Sequence, residues 1–132
     1  MDQTSHILYI EDNLDSQRLV SRILANTAYN IDVVPDGEAA LNYLNDNIPD
    51  LILVDIGLPK MDGKFVTKLI REKKEFHKIP VVAITAHVLR DERESILASG
   101  CNGYISKPIN VDKFQEEISK YMQVTTDGSA HV

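Results

Sequence analysis

Leu51-Ile52-Leu53-Val54-Asp55 is the stretch that decides the fold of this chain. Consecutive aliphatic side chains leave no polar face, so the run suits a strand covered on both sides, as strands of parallel sheets are. The carboxylate that closes the run has to emerge where the strand ends. Three other apolar runs close in the same manner. Ile7-Leu8-Tyr9-Ile10 ends in Glu11-Asp12, Val81-Val82-Ala83-Ile84 ends in Thr85, and Tyr104-Ile105-Ser106 leads into Lys107. In an open parallel α/β sheet the C-terminal strand ends share one edge, and sites form there. Carboxylates, a hydroxyl and an ammonium gathered on one edge point to hard-cation and phosphoryl chemistry.

Working outward, apolar strand patterns and helical patterns alternate along the chain. Strands are predicted over residues 6–10, 31–34, 51–54, 80–85 and 103–106. Apolar residues at helical spacing follow each one. They are Leu19, Val20, Ile23 and Leu24, then Ala40, Leu41 and Leu44, then Phe65, Val66, Leu69 and Ile70. Val88, Leu89, Ile96 and Leu97 follow the fourth strand, and Phe114, Ile118, Tyr121 and Met122 the fifth. All five stripes read as core-facing. Turn chemistry separates the segments: Pro35-Asp36-Gly37 opens the second helix, Pro49-Asp50 precedes the third strand, and Gly100 sits just past a helix end. Strict βα alternation predicts a doubly wound α/β fold, with five parallel strands, right-handed crossovers and helices on both faces. Residues 1–122 form one domain on this reading. Residues 123–132 are polar and aperiodic and are expected to be a frayed tail.

Composition narrows the function. At 132 residues the chain can bury a full core without disulfide or metal staples. No apolar run reaches the ~18 residues that span a bilayer, and Met1-Asp2-Gln3-Thr4-Ser5 opens no signal peptide, so no membrane association is expected. The lone Cys101 suits a reducing cytoplasm and reads as a small packing residue. Twenty acidic against fourteen basic residues leave a net charge of −6, the wrong balance for a nucleic-acid partner. Arg71-Glu72-Lys73-Lys74-Glu75 mixes signs and reads as a solvated helix end. His6, His77 and His131 have no neighbours that suggest a site.

With Leu58-Pro59-Lys60-Met61-Asp62-Gly63 following Asp55, these residues resemble the receiver domain of two-component response regulators. The likeness covers about residues 5–122. It implies a flavodoxin-like strand order 2-1-3-4-5 and a phosphoacceptor rather than an enzyme in the ordinary sense. Asp55 would be the nucleophile toward a phosphohistidine or an acyl phosphate. Mg2+ would be held by Asp12, Asp55 and the Gly57 carbonyl, with Glu11 acting through a metal-bound water. Thr85, the Ala86 N–H and Lys107 would meet the phosphoryl oxygens. The resemblance also implies a cis Lys107–Pro108 peptide, and a switch in which Thr85 moves and Tyr104 turns inward. The partners implied are a sensor histidine kinase or histidine-phosphotransfer protein, and a downstream protein target. That target would dock on the fourth helix, fifth strand and fifth helix of a stand-alone cytoplasmic receiver. Gly57 and His87 sit at positions that vary in the family, and they predict a slow loss of the phosphoryl group: Gly57 cannot orient a water, and His87 can shield its path or hydrogen-bond the phosphoryl group.

Three rivals compete. A flavodoxin-type cofactor binder would want a Gly- or Ser-rich loop after the first strand, where this chain has Glu11-Asp12-Asn13. An Mg-dependent hydrolase with an aspartyl-phosphate intermediate typically shows Asp-x-Asp, and Asp55-Ile56-Gly57 lacks it. A degenerate receiver that only binds partners would not keep the whole pocket.

Overall fold

The computed structural model describes residues 5–86 and 89–131, with side chains through Met122. Strands and helices alternate in the order β1 (Ser5–Ile10), α1 (Leu14–Leu24), β2 (Tyr29–Val34), α2 (Gly37–Asp46), β3 (Leu51–Asp55), α3 (Gly63–Arg71), β4 (Val81–Thr85), α4 (Arg90–Ala98), β5 (Gly103–Ser106) and α5 (Val111–His131). A short 3-10 turn, Lys74–Phe76, precedes β4. The sheet is parallel throughout, in the order β2-β1-β3-β4-β5. The chain winds outward from β1 on one side and from β3 on the other, so the switch point lies between them, where such folds open a crevice.

Alternate side chains of the central strands feed two cores. Ile7, Tyr9, Leu51, Leu53, Val82 and Ile84 pack with Val20 and Leu24 of α1 and Phe114 and Ile118 of α5. Leu8, Ile10, Ile52, Val54, Val81 and Ala83 pack with residues of α2, α3 and α4 on the other face. Burial on both faces explains why the runs of β1, β3 and β4 carry no polar residue. Each buried aliphatic side chain contributes about 1.5–3 kcal/mol to that sandwich. The outer strand β2 departs from this expectation. Its Asn30 and Asp32 are exposed and its apolar residues half-buried, because an edge strand has cover on fewer sides. It also begins at Tyr29, two residues ahead of the predicted start, because Tyr29 pairs in register with Ser5.

Three helices begin on side-chain caps directly behind the C-terminal edge. Asn13 accepts from the Ser16 N–H at 2.9 Å, Asp36 from the Ala39 N–H at 2.8 Å, and Asp62 from the Lys64 N–H at 2.6 Å. Each cap satisfies an otherwise unpaired helix donor, worth typically ~1 kcal/mol. Gly100, at φ +113°, follows the end of α4 in a conformation that L side chains rarely adopt.

One expectation needs correction. The fourth apolar stripe is not uniformly core-facing: α4 buries only Ile96, whereas Leu89 is 77% exposed and Leu97 49% exposed. The helix starts after Leu89, and Leu97 lies about 100° round the axis from Ile96; Val88 lies outside the described residues. Phe65 on α3 is likewise half-exposed. The helical backbone of α5 continues past residue 122 to His131. Residues 123–131 contain no proline to break the hydrogen-bond ladder. Among the described residues, no helix is long and apolar enough to cross a membrane.

Candidate functional site

Asp55 is the last residue of β3 and only 6% exposed, and Glu11, just past the end of β1, is 1% exposed. Ile10 pairs with Val54, so the two carboxylates leave neighbouring strands at the same level. Asp12 follows in the exposed turn before α1. Carboxylate oxygens of Glu11, Asp12 and Asp55 lie within 4.8 Å of one another. Lys107 reaches in from beyond β5, its Nζ 3.4 Å from Glu11 Oε1 and 3.4 Å from Asp55 Oδ1. Its backbone N–H donates to the Thr85 carbonyl at 2.8 Å, which joins the ends of β4 and β5. The Lys107–Pro108 peptide is cis, as the resemblance implied.

Thr85 closes β4 with 2% exposure and stands opposite Ser106. Asp55 pairs with Ile84, so Thr85 and the exposed Ala86 lie at the next strand end. Tyr104, half-buried on β5, receives a long 3.5 Å hydrogen bond from Arg93 Nη1 of α4. Gly57 donates its N–H to Asp55 Oδ1 at 3.1 Å. The loop from Leu58 to Gly63 folds back so that Gly63 N–H donates to the Ile56 carbonyl at 3.1 Å. A Cβ on Gly63 would collide with the main-chain carbonyl of Asp55, which is the physical reason for glycine there. His87 lies outside the described residues.

Hydrogen bonds constrain Glu11 most. Tyr9 Oη donates to Oε1 at 3.0 Å, the Asn13 N–H donates to Oε2 at 3.2 Å, and Gln17 Nε2 donates to the Glu11 carbonyl at 2.6 Å. Burial pushes the Glu11 carboxyl above its ordinary range and the adjacent Asp55 adds to the rise, while the Asn13 N–H and Lys107 oppose it. Burial and then Glu11 hold the Tyr9 phenol far above its own ordinary range, so it is a donor in this pair. Sequence reading treated Tyr9 as core alone. The available signal was its place two residues before Glu11 on a strand, where side chains share a face.

The donor set suits a hard dication. Close carboxylates without enough cation repel one another, and magnesium favours such oxygen ligands. A doubly wound parallel sheet with an acidic pocket and a lysine at its switch-point edge is a flavodoxin-like domain built for phosphoryl chemistry. Residues 7–119 match the response regulator receiver domain family, and the chain belongs to that family, the receivers of two-component signalling. It is 37% identical over 119 residues to the polar-differentiation response regulator DivK of Brucella ovis, covering 90% of this chain and 97% of that protein. The receiver domain of a sensor histidine kinase from Pseudomonas aeruginosa was solved with a magnesium ion coordinated in its active site cleft. It matches with a TM-score of 0.83 and 31% identity, over 91% of this chain and 98% of that one. The chemotaxis response regulator CheY4 of Vibrio cholerae shares the fold, with a TM-score of 0.86 at 22% identity over 90% of this chain and 99% of that one.

Proposed function

We propose that Asp55 accepts a phosphoryl group from a phosphohistidine of a sensor kinase or histidine-phosphotransfer protein, or from a small acyl phosphate. A carboxylate oxygen of Asp55 attacks phosphorus. The new O–P bond forms as the donor's N–P or O–P bond breaks, and the imidazole or acetate departs with the bonding pair. The observation that carries this reading is the approach of Lys107 Nζ to both Glu11 and Asp55 at 3.4 Å, beside a carboxylate cluster within 4.8 Å. Asp12, Asp55 and the Gly57 carbonyl would hold magnesium directly, with Glu11 engaging it through water. Bound there, the ion supplies positive charge to the transferring phosphoryl oxygens. The Lys107 ammonium would supply the second positive charge, and the Thr85 hydroxyl and Ala86 N–H would donate to the remaining oxygens.

The output follows from Thr85 and Tyr104. Thr85 moving toward a phosphoryl group frees space into which the half-buried Tyr104 turns, changing the α4–β5–α5 face. Exposed Leu89, Leu97 and Val111 give this face the apolar contacts a protein target would use. Lys107→Ala uncouples the two steps, permitting some phosphorylation with little change at that face. The composition and the single buried Cys101 fit a cytoplasmic setting. Loss of the phosphoryl group is slow on this reading, because Gly57 has no side chain to orient water. A Cβ at Gly57 meets nothing nearer than Asp55 Oδ1 at 3.9 Å, so Gly57→Asn fits and shortens the phosphorylated lifetime.

Incubation with acetyl phosphate and magnesium chloride tests the central step. Mass spectrometry should find one base-labile phosphoryl group on Asp55, and none on Asp55→Asn. Label on the Asn variant, or mapped to serine or histidine, overturns the mechanism.

A further inference from the structure

Tyr9 is fully buried, its ring packed in the core beneath α1 and α5, and its hydroxyl is the ring's only polar atom. A buried tyrosine hydroxyl needs a partner, and a main-chain carbonyl would serve for packing alone. Here the partner is Glu11 Oε1 at 3.0 Å, an oxygen that also stands 3.4 Å from Lys107 Nζ. The other carboxylate oxygen is taken by the Asn13 N–H at 3.2 Å. Both Glu11 oxygens are therefore held by the fold while the group sits within 4.8 Å of Asp12 and Asp55. The device depends on strand geometry, because Glu11 directly follows the end of β1 and residues two apart along an extended chain project to the same face. The core thus grips the ring, and the ring orients the acid.

We infer that Tyr9 is a positioning residue, which sets Glu11 in the orientation that serves the cation at Asp12 and Asp55. The inference rests on the magnesium reading of that cluster. Groups that orient a metal's ligands from behind typically change affinity by ~10–100-fold when removed. Glu11 acts through water on this reading, so the lower end, about tenfold, is the expected effect of Tyr9→Phe. That change deletes one oxygen and keeps the ring, so packing is preserved.

Magnesium titration by calorimetry of four proteins tests it: wild type, Tyr9→Phe, Glu11→Gln and the double variant. Tyr9→Phe should weaken magnesium about tenfold in the wild-type background and by no more than about twofold when Glu11 is already Gln. Equal losses in both backgrounds would mean that Tyr9 acts through packing, and an unchanged affinity would mean that it does not act at all; either overturns the inference. A wild type that binds no magnesium overturns the metal reading and this inference with it. A second measurement needs no variant and covers the case in which Tyr9→Phe does not fold. In the wild type, magnesium should shift the assigned Tyr9 ring resonances together with the Asp12 and Gly57 amides. Tyr9 signals that stay fixed while those amides move overturn the inference.

Discussion

The two edges of the sheet handle buried charge in opposite ways. At the N-terminal edge, before β4 and β5, Arg71 is held by neutral groups. Its Nη1 donates to the carbonyls of Phe76 and Ile79 at 2.7 Å each, its Nε to that of Gly100 at 3.0 Å, and its Nη2 to Asn102 Oδ1 at 2.7 Å. Asn102 Oδ1 in turn accepts the Val81 N–H at 2.8 Å, so one guanidinium ties α3 to the starts of two strands. At the C-terminal edge the Lys107 ammonium pairs with Glu11 and Asp55, and the Asp12 carboxylate lies within 4.8 Å of both acids. A charge met by dipoles of its own fold is a fastener. A surplus of one sign, held in place by the core, asks for a counter-charge from outside, and that is a site.

The widest break in this contrast is expected at Arg71. Arg71→Ala strands several carbonyls and should cost roughly 2–4 kcal/mol in urea denaturation. Added magnesium should recover none of it, and Arg71→Lys should recover only part, because an ammonium cannot reproduce the planar fork. A loss under about 1 kcal/mol would remove the fastener from the comparison.

Lys107→Ala should cost less, roughly 1–3 kcal/mol in chelator, since it leaves nearly buried carboxylates without their cation. Unlike the Arg71 deficit, most of this one should be restored by magnesium, as a ligand that binds only the folded state stabilises it. A deficit insensitive to magnesium would show that the lysine is structural like Arg71.

Proton linkage gives a finer separation. Glu11 has its folded pKa raised above the ordinary 4.5, so the folded state binds this proton more tightly than the unfolded chain. Its contribution therefore favours folding as pH falls from the raised value toward 4.5 and levels off below. In metal-free buffer that contribution should have a slope of at most about 1.4 kcal/mol per pH unit, and Glu11→Gln should abolish it. Arg71, charged throughout, adds nothing in this window. A slope unchanged in Glu11→Gln places the proton elsewhere.

The smallest effect is expected at the exposed Asp12. Asp12→Ala removes one repelling charge and should raise metal-free stability by no more than about 1 kcal/mol, because solvent screens it. The same variant should weaken magnesium binding. A destabilised Asp12→Ala would mean that the cluster is held together by contacts stronger than its repulsion.

Much of the pocket was legible because it is written at strand ends. An apolar run that stops on a charged or hydroxyl group marks its own C-terminus, and Asp55, Glu11, Thr85 and Lys107 all stand where that rule puts them. The same rule hid Tyr9, which lies inside a run and looks like core. Arg71 was misread for a related reason. In Arg71-Glu72-Lys73-Lys74-Glu75 it resembles a solvated helix end, yet its partners run as far along the chain as Asn102, 31 residues away.

The sequence by itself determined the alternation of strands and helices, the parallel sheet and the chemistry delivered to its C-terminal edge. These follow from side-chain periodicity and turn residues, which act among near neighbours. Only the tertiary structure decided that Lys107 stands 3.4 Å from Glu11, 96 residues away, that Tyr9 holds that acid, that Gly63 lies against Asp55, and that Leu89 and Leu97 face outward. Strand order, register and the seating of helices set those relations. They are fixed by packing between distant segments, which local pattern does not contain.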